Sequence, residues 1–182
     1  TVNKNLLFDK YVWVTGTGQM TKDYANIFFN KLSKITNISK NDTIIEIASN
    51  DGTFLKPFIK NNFKKVIGVD PAKNIAKIAN KNNIKTLNNY WTFSFAKKIS
   101  LKYGKAKLIF ARNVIPHVSN LKDVIKGIHY SLDEKGIGAI EYHDAGKILE
   151  KLQYDSIYHE HLCYFSVKSI SYLLNSYNLH PF

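Results

Sequence analysis

The chain has 182 residues, 45% of them hydrophobic and 22% charged, a globular composition with enough apolar side chain for one substantial core. A single cysteine, Cys163, excludes an internal disulfide and a cysteine-cluster zinc site, and no apolar run approaches the roughly 20 residues of a membrane span. The net charge of +12 rests on 26 basic residues of which only Arg112 is arginine, so the excess reads as scattered, solvated lysine rather than the arginine forks of a nucleic-acid face. There is no basic segment leading into a short apolar one of the kind that directs secretion, and a cytoplasmic location is expected.

In chain order, residues 11–14 are β-prone and run into Thr15-Gly16-Thr17-Gly18, a turn without the GxxxxGK[ST] pattern of a phosphate loop. Thr21 is placed to cap a helix over 22–35, whose apolar face carries Ala25, Phe28, Phe29, Leu32 and Ile35. From Asn41 onward strands and helices alternate. Strands are expected at 43–47, 66–70, 84–87, 107–111 and 136–142, and helices at 53–60, 71–81, 92–103 and 121–132 between them. Two more helical patterns follow at 145–152 and 167–177, the second capped by Ser166. Such alternation means an α/β fold, a parallel sheet covered by helices on both faces. The expected organisation is a lead-in over 1–40 and one domain over 41–182.

The first strand ends in Glu46-Ile47-Ala48-Ser49-Asn50-Asp51-Gly52. This reads as a buried strand, a tight turn and a helix start, and in an open α/β sheet the crevice at that end of a strand takes nucleotide-like ligands. Asn50 and Gly52 tolerate left-handed backbone, which lets the turn bring its N–H groups toward a ligand, and Glu46 can accept from a ligand amine or hydroxyl. An ordinary strand-to-helix turn is the alternative. The second strand ends at Asp70-Pro71, about 20 residues beyond the glycine turn, where an acid can hold ribose hydroxyls or simply cap the next helix. Asn113 and His117 follow the fourth strand and Glu141 ends the fifth, all at the same sheet edge.

The densest set of titratable groups lies in Tyr154-Asp155-Ser156-Ile157-Tyr158-His159-Glu160-His161-Leu162-Cys163-Tyr164. Imidazole and phenol groups can move protons near neutral pH. A zinc helix of H-E-x-x-H type needs histidines four apart; these are two apart with no evident third ligand, and no metal is expected.

Taken together, these motifs place the chain beside a known family. The 46–52 loop resembles the cofactor loop of class I S-adenosylmethionine-dependent methyltransferases. Joined to Asn113-Val114-x-x-His117-Val118 and Asp155-x-Ile157-Tyr158-His159-Glu160-His161-x-x-Tyr164-Phe165, it resembles more narrowly the C-methyltransferases of nucleotide-linked 4-keto-deoxy sugars. The resemblance runs from about Tyr11 to the end of the chain. It implies a Rossmann-like class I sheet in the order 3-2-1-4-5, with the cofactor turn at the switch point. It also implies S-adenosylmethionine held by Glu46, Ala48, Ser49, Asn50, Asp51, Gly52, Asp70, Pro71, Asn113 and Val114. The implied substrate is a small nucleotide-linked keto sugar, methylated on carbon through an enolate. The implied base is His161, with Tyr158 and Glu160 beside it and Tyr11 as a further phenol over the substrate; His159 is the competing base.

Three features depart from the family pattern. Ala48 stands where the family usually has glycine, the family's cysteine-rich zinc domain has no counterpart, and the family's further strand hairpin and C-terminal domain are missing, so the chain is expected to be truncated at its C-terminus. The rival functions are an RNA or DNA methyltransferase, another small-molecule methyltransferase, and a non-catalytic cofactor-binding fragment. The net charge favours a nucleic-acid substrate; Arg112-Asn113-Val114-Ile115 after the fourth strand, in place of a Pro-Pro-Tyr motif, disfavours it. A nucleic-acid or membrane partner is therefore not expected.

Overall fold

A computed structural model describes residues 11–182. The part of the expected lead-in before Tyr11 lies outside the described residues. Five parallel strands form one sheet in the order β3-β2-β1-β4-β5: β1 Thr43–Ile47, β2 Lys65–Asp70, β3 Thr86–Asn88, β4 Ala106–Arg112 and β5 Leu132–Glu141. This is the order expected from the sequence. The helices are α1 Gln19–Thr36, α2 Lys56–Lys60, α3 Lys73–Lys81, α4 Phe93–Tyr103, α5 Leu121–Ser131, α6 Ala145–Glu150 and α7 Val167–Asn175.

Strand periodicity sorts the apolar residues into two cores, one on each face of the sheet. Ile45, Ile47, Ile67, Val69, Ile109 and Ala111 face the core built with α4 and α5, which contribute Ala96, Ile99, Val124, Ile125 and Ile128. Ile44, Val66, Leu108 and Phe110 face the other, with Ala25 and Leu32 of α1 and Phe58 of α2. The second core is strongly aromatic: Phe29 meets Phe58 edge-on at 4.9 Å between ring centroids, and Phe28 meets Phe110 at 5.3 Å. Each fully buried Phe or Ile contributes about 1.5–3 kcal/mol, so the central strands carry much of the stability. Period 2 puts Glu46 and Arg112 on this same face, two residues beyond Ile44 and Phe110, at the carboxyl end of the sheet.

Several boundaries differ from the sequence reading, each for a local reason. Helix α1 starts two residues before Thr21, with Gly18 at the N-cap position and no capping side chain. Residues 11–14 make no strand and lead into a 3-10 turn at Thr15–Thr17. Only Lys56–Lys60 of the 53–60 segment is helical, because residues 51–55 still belong to the turn that follows β1. Asp70 Oδ1 accepts from the Ala72 N–H at 2.8 Å, which delays α3 to Lys73 and leaves Pro71 ahead of the helix. β5 begins directly after α5 and carries an irregularity between its pairings to Ala106 and Leu108. A Cβ on Gly136 there would lie 2.7 Å from the Ala106 carbonyl oxygen, so that kink requires glycine. Thr92, Asn120 and Ser166 cap their helices through side-chain oxygens, and Ser166 completes a capping box with Ser169.

Candidate active site

The turn after β1 has an unusual backbone. Ala48, Asn50 and Gly52 all take positive φ, at 54°, 49° and 76°. Asn50 and Gly52 were legible as left-handed positions; Ala48 was not, since an L-residue with a Cβ resists that conformation. The expectation that the turn would present free N–H groups is corrected by its hydrogen bonding. Ser49 N–H donates to Val69 O, Asn50 N–H to Asp70 Oδ2, Asp51 N–H to Asn50 Oδ1, Gly52 N–H to Ser49 O and Thr53 N–H to Asp51 Oδ1. Every backbone N–H from Ser49 to Thr53 is spent inside the protein. What the stretch does leave open are three buried side-chain oxygens with no partner: Glu46 Oε2 and Ser49 Oγ at the end of the central strand, and Thr53 Oγ1 further along the turn. Orphaned polar atoms beside a switch point suit a ligand bearing an ammonium and hydroxyls, as S-adenosylmethionine does.

Asp70 is 5% exposed and its carboxylate takes two backbone N–H groups, from Asn50 and Ala72, both at 2.8 Å. It therefore ties the end of β2 to the turn. Burial pushes its carboxyl up, against the opposing pull of those two hydrogen bonds. Burial likewise holds Glu46 well above the usual carboxylate range, opposed by Arg112 and reinforced by Asp70, Asp51 and Glu141. The carboxyl of Glu46 thus resists ionising.

Glu141, at the end of β5, is already engaged. Arg112 Nη2 donates to its Oε1 at 2.7 Å, Tyr24 Oη to its Oε2 at 2.7 Å, and Asn113 Nδ2 to Oε1 at 3.5 Å. The Arg112 guanidinium lies 3.3 Å from the centre of the Phe54 ring. This knot braces the β4–β5 edge and sets Asn113, left-handed at φ 49°, facing outward beside Val114.

The tyrosine–histidine segment folds back over that edge. It is a turn rather than an extended run: the His161 N–H donates to Tyr158 O, and the Leu162 N–H to Pro116 O. In an extended loop the side chains of His159 and His161 would point to opposite sides; this turn separates them differently. His159 is exposed, whereas His161 is packed among rings. Its centroid is 4.2 Å from Tyr158, 4.7 Å from His117, 5.5 Å from Tyr164 and 6.2 Å from His143. A cavity of about 150 Å³ lies here, lined by Asn113, Pro116, His117, His143, Tyr158 and His161. A larger hollow of about 450 Å³ between α1 and β5 is mostly apolar and holds no histidine.

His161 Nδ1 is 3.0 Å from the Ser156 carbonyl oxygen, and His117 Nδ1 is 3.1 Å from the Glu160 carbonyl oxygen. A carbonyl can only accept, so each Nδ1 carries the hydrogen and each Nε2 keeps its lone pair in the neutral ring. Burial lowers the His161 pKa, with His143 lowering it further while the Ser156 bond and Glu160 oppose; burial also lowers His117. Both imidazoles are held neutral near pH 7. Burial raises the phenols of Tyr158 and Tyr11, and Glu160 adds to both, so each stays a proton donor.

Two neighbours escaped the sequence reading. His143 lines the cavity; its place two residues after Glu141, at the same edge, was the available signal. Asn74, inside α3, meets Tyr11 through its carboxamide, and nothing in the sequence marked it. Among the described residues no three His, Cys, Asp or Glu side chains are placed to hold a metal ion, and no helix is long and apolar enough to cross a membrane.

The profile of a methyltransferase domain family matches residues 19–181. A curated relative, C-methyltransferase NovU of Streptomyces niveus, is 27% identical over 178 residues, 98% of this chain and 42% of that protein. The chain therefore spans less than half the length of that relative. An S-adenosylmethionine-dependent methyltransferase from Archaeoglobus fulgidus superposes with a TM-score of 0.66 at 13% identity, over 84% of this chain and 68% of the other. The plantazolicin methyltransferase BpumL, solved with a substrate analogue and S-adenosylhomocysteine, gives 0.66 at 14% identity, over 88% and 64%. At those identities the two structures speak for the fold.

Proposed function

We propose, from the premise that the chain belongs to the methyltransferase domain family, that it methylates a carbon beside the ketone of a nucleoside-diphosphate-linked keto-deoxy sugar, using S-adenosylmethionine. The likeness to NovU, a C-methyltransferase, supports carbon as the acceptor. The observation that carries the reading is the His161 tautomer: Nδ1 is committed to the Ser156 carbonyl, leaving a basic Nε2 on a ring that opens to a small cleft at the sheet edge.

The cofactor lies against the 48–52 turn. The unpartnered oxygens of Glu46 and Ser49 are available to its polar groups, Asp70 and Pro71 stand on one side and Asn113 and Val114 on the other. Bound there, S-adenosylmethionine supplies an electrophilic methyl. His161 Nε2 takes the proton from the carbon next to the ketone, and the C–H electron pair becomes the enolate. Tyr158 donates its hydroxyl to the developing oxyanion; its raised pKa keeps that hydrogen in place. Glu160 favours the charged form of His161 and so stabilises the imidazolium that results. Tyr11 supplies the further phenol over the substrate.

The test is solvent-deuterium exchange at the acidic carbon of a nucleoside-diphosphate 4-keto-deoxy sugar. His161→Ala abolishes exchange with cofactor affinity intact, and His159→Ala retains it. Undiminished exchange in His161→Ala removes the base assignment, and the reverse pattern transfers it to His159. The surplus lysines lend little to a polyanion reading, because several lie over the protein's own rings: Lys40 is 4.2 Å from the Phe63 centroid and Lys105 is 3.6 Å from that of Tyr130.

A further inference from the structure

The segment 11–18 crosses the 48–52 turn, and two asparagines pin it there. Asn74 Oδ1 accepts from the Tyr11 N–H at 3.2 Å while its Nδ2 donates to Tyr11 O at 2.8 Å. Asn50 does the same two residues further on: Oδ1 accepts from the Thr15 N–H at 2.9 Å, and Nδ2 donates to Trp13 O at 3.0 Å. A carboxamide that reads both an N–H and a C=O mimics a strand partner, so the segment is held as if by two rungs of a ladder. The two rungs come from different elements, the turn and α3.

The fit is close. Gly16 has ordinary backbone angles, φ −81° and ψ 15°, so it is not there for conformation. It is there for space. A Cβ at that position would lie 2.5 Å from Asp51 Oδ2 and closer still to Thr53 Oγ1. Asp51 and Thr53 are 4% and 2% exposed and cannot swing aside. Meanwhile the outward side chains of the segment touch little, with Val12 94% and Trp13 62% exposed. Polar pins and one close glycine contact, rather than apolar burial, hold it down.

We propose that Asn50 and Asn74 are positioning residues which strap segment 11–18 over the bound cofactor, and that the strap must lift for S-adenosylhomocysteine to leave. This rests on the cofactor lying against the 48–52 turn, as proposed above. The strap also delivers Tyr11: Glu160, Tyr158 and Asp70 all act electrostatically on its phenol, which puts it between the turn and the histidine cluster. Closing the strap thus couples an occupied cofactor site to a complete substrate site. Asn50 has a second duty that Asn74 lacks. Its left-handed backbone and its bond to the Asp51 N–H belong to the turn itself, so Asn74 and Gly16 are the cleaner sites to perturb.

The experiment measures release of S-adenosylhomocysteine by stopped flow, with amide hydrogen exchange over 11–15 as the reporter of the strap, since Asn74 and Asn50 hold the Tyr11 and Thr15 N–H groups. In the unaltered chain with ligand bound these amides exchange slowly. Asn74→Ala removes two hydrogen bonds and Gly16→Ala wedges the strap off, and each speeds release by about tenfold. Exchange over 11–15 quickens with ligand bound, while amides of the central strands keep their protection, because neither residue belongs to a core cluster. Asn74→Asp keeps the acceptor for Tyr11 N–H and loses the donor, and falls between. Release at the unaltered rate in both Asn74→Ala and Gly16→Ala, with 11–15 still protected, overturns the strap. Failure of the unaltered chain to bind S-adenosylhomocysteine overturns instead the cofactor placement beneath it.

Discussion

Ala48 offers a quantitative test of the turn. Among the described residues eight non-glycine positions have positive φ, and six of them are asparagine, the L-residue best suited to that region. Ala48, at φ 54°, is an exception inside the functional turn. The left-handed conformation costs an L-residue roughly 1–2 kcal/mol, which Ala48→Gly removes. Against this, glycine adds roughly 0.4–1 kcal/mol of unfolded-state entropy. Ala48 is half-buried, and the lost methyl costs about 0.4 kcal/mol, half the figure for a fully buried group. The net gain is about 0.5 kcal/mol, or a rise of about 1–2 °C in Tm for a chain of this size. Ala48→Val moves the other way by more, since a β-branched residue tolerates positive φ worst. Thermal and urea melts of Ala48→Gly, Ala48→Asn and Ala48→Val should rank glycine highest, asparagine at or above alanine, and valine lowest. A glycine variant that melts below the parent, or a valine variant that does not, refutes the strain argument.

Asp70→Ala leaves the N–H groups of Asn50 and Ala72 without their acceptor, and should cost about 2–4 kcal/mol in urea titration besides weakening cofactor binding; a loss under about 0.5 kcal/mol would show that water replaces the carboxylate freely. Glu46 gives a pH signature. Its folded pKa is raised, so its contribution is full below the ordinary carboxylate value and is lost as pH rises through the folded one. Glu46→Gln removes that titration, and any cost of the buried amide is independent of pH. The Tm of Glu46→Gln minus that of the parent, both without ligand, should therefore climb with pH above about 4.5, near the unfolded carboxylate value. A difference that is flat or falling contradicts the burial argument.

The sheet was legible because its signals are local and redundant. Short, mostly apolar runs such as Thr43–Ile47 and Ala106–Arg112 mark strands covered on both faces, and capping residues such as Thr92 and Ser166 mark helix starts. The left-handed turn was half legible, since Asn50 and Gly52 advertise it and Ala48 conceals it. Hydrogen-bond bookkeeping was not legible. Glu141 read only as an acid at the sheet edge, and its partners Arg112, Asn113 and Tyr24 come from two separate parts of the chain. The same holds for the asparagine pins, whose partners are backbone atoms of Tyr11, Trp13 and Thr15. A main-chain partner leaves no trace in the identity of the residue that supplies it.

The strand order also decides how the chain can assemble. β1 sits at the centre, with β2 on one side and β4 on the other, and every pairing is parallel. No two neighbours can form as a hairpin, so each awaits its crossover. β1, α2 and β2 make a short unit that can close early, whereas Ile44 meets Leu108 only after β2, α3, β3 and α4 have been laid down. Until then the second edge of β1 is an apolar strand with unpaired amides, the kind of surface on which unfinished chains pair with one another. Arrival of β4 is thus the step that competes with aggregation, and refolding yield should depend on chain concentration through that step more than through any other.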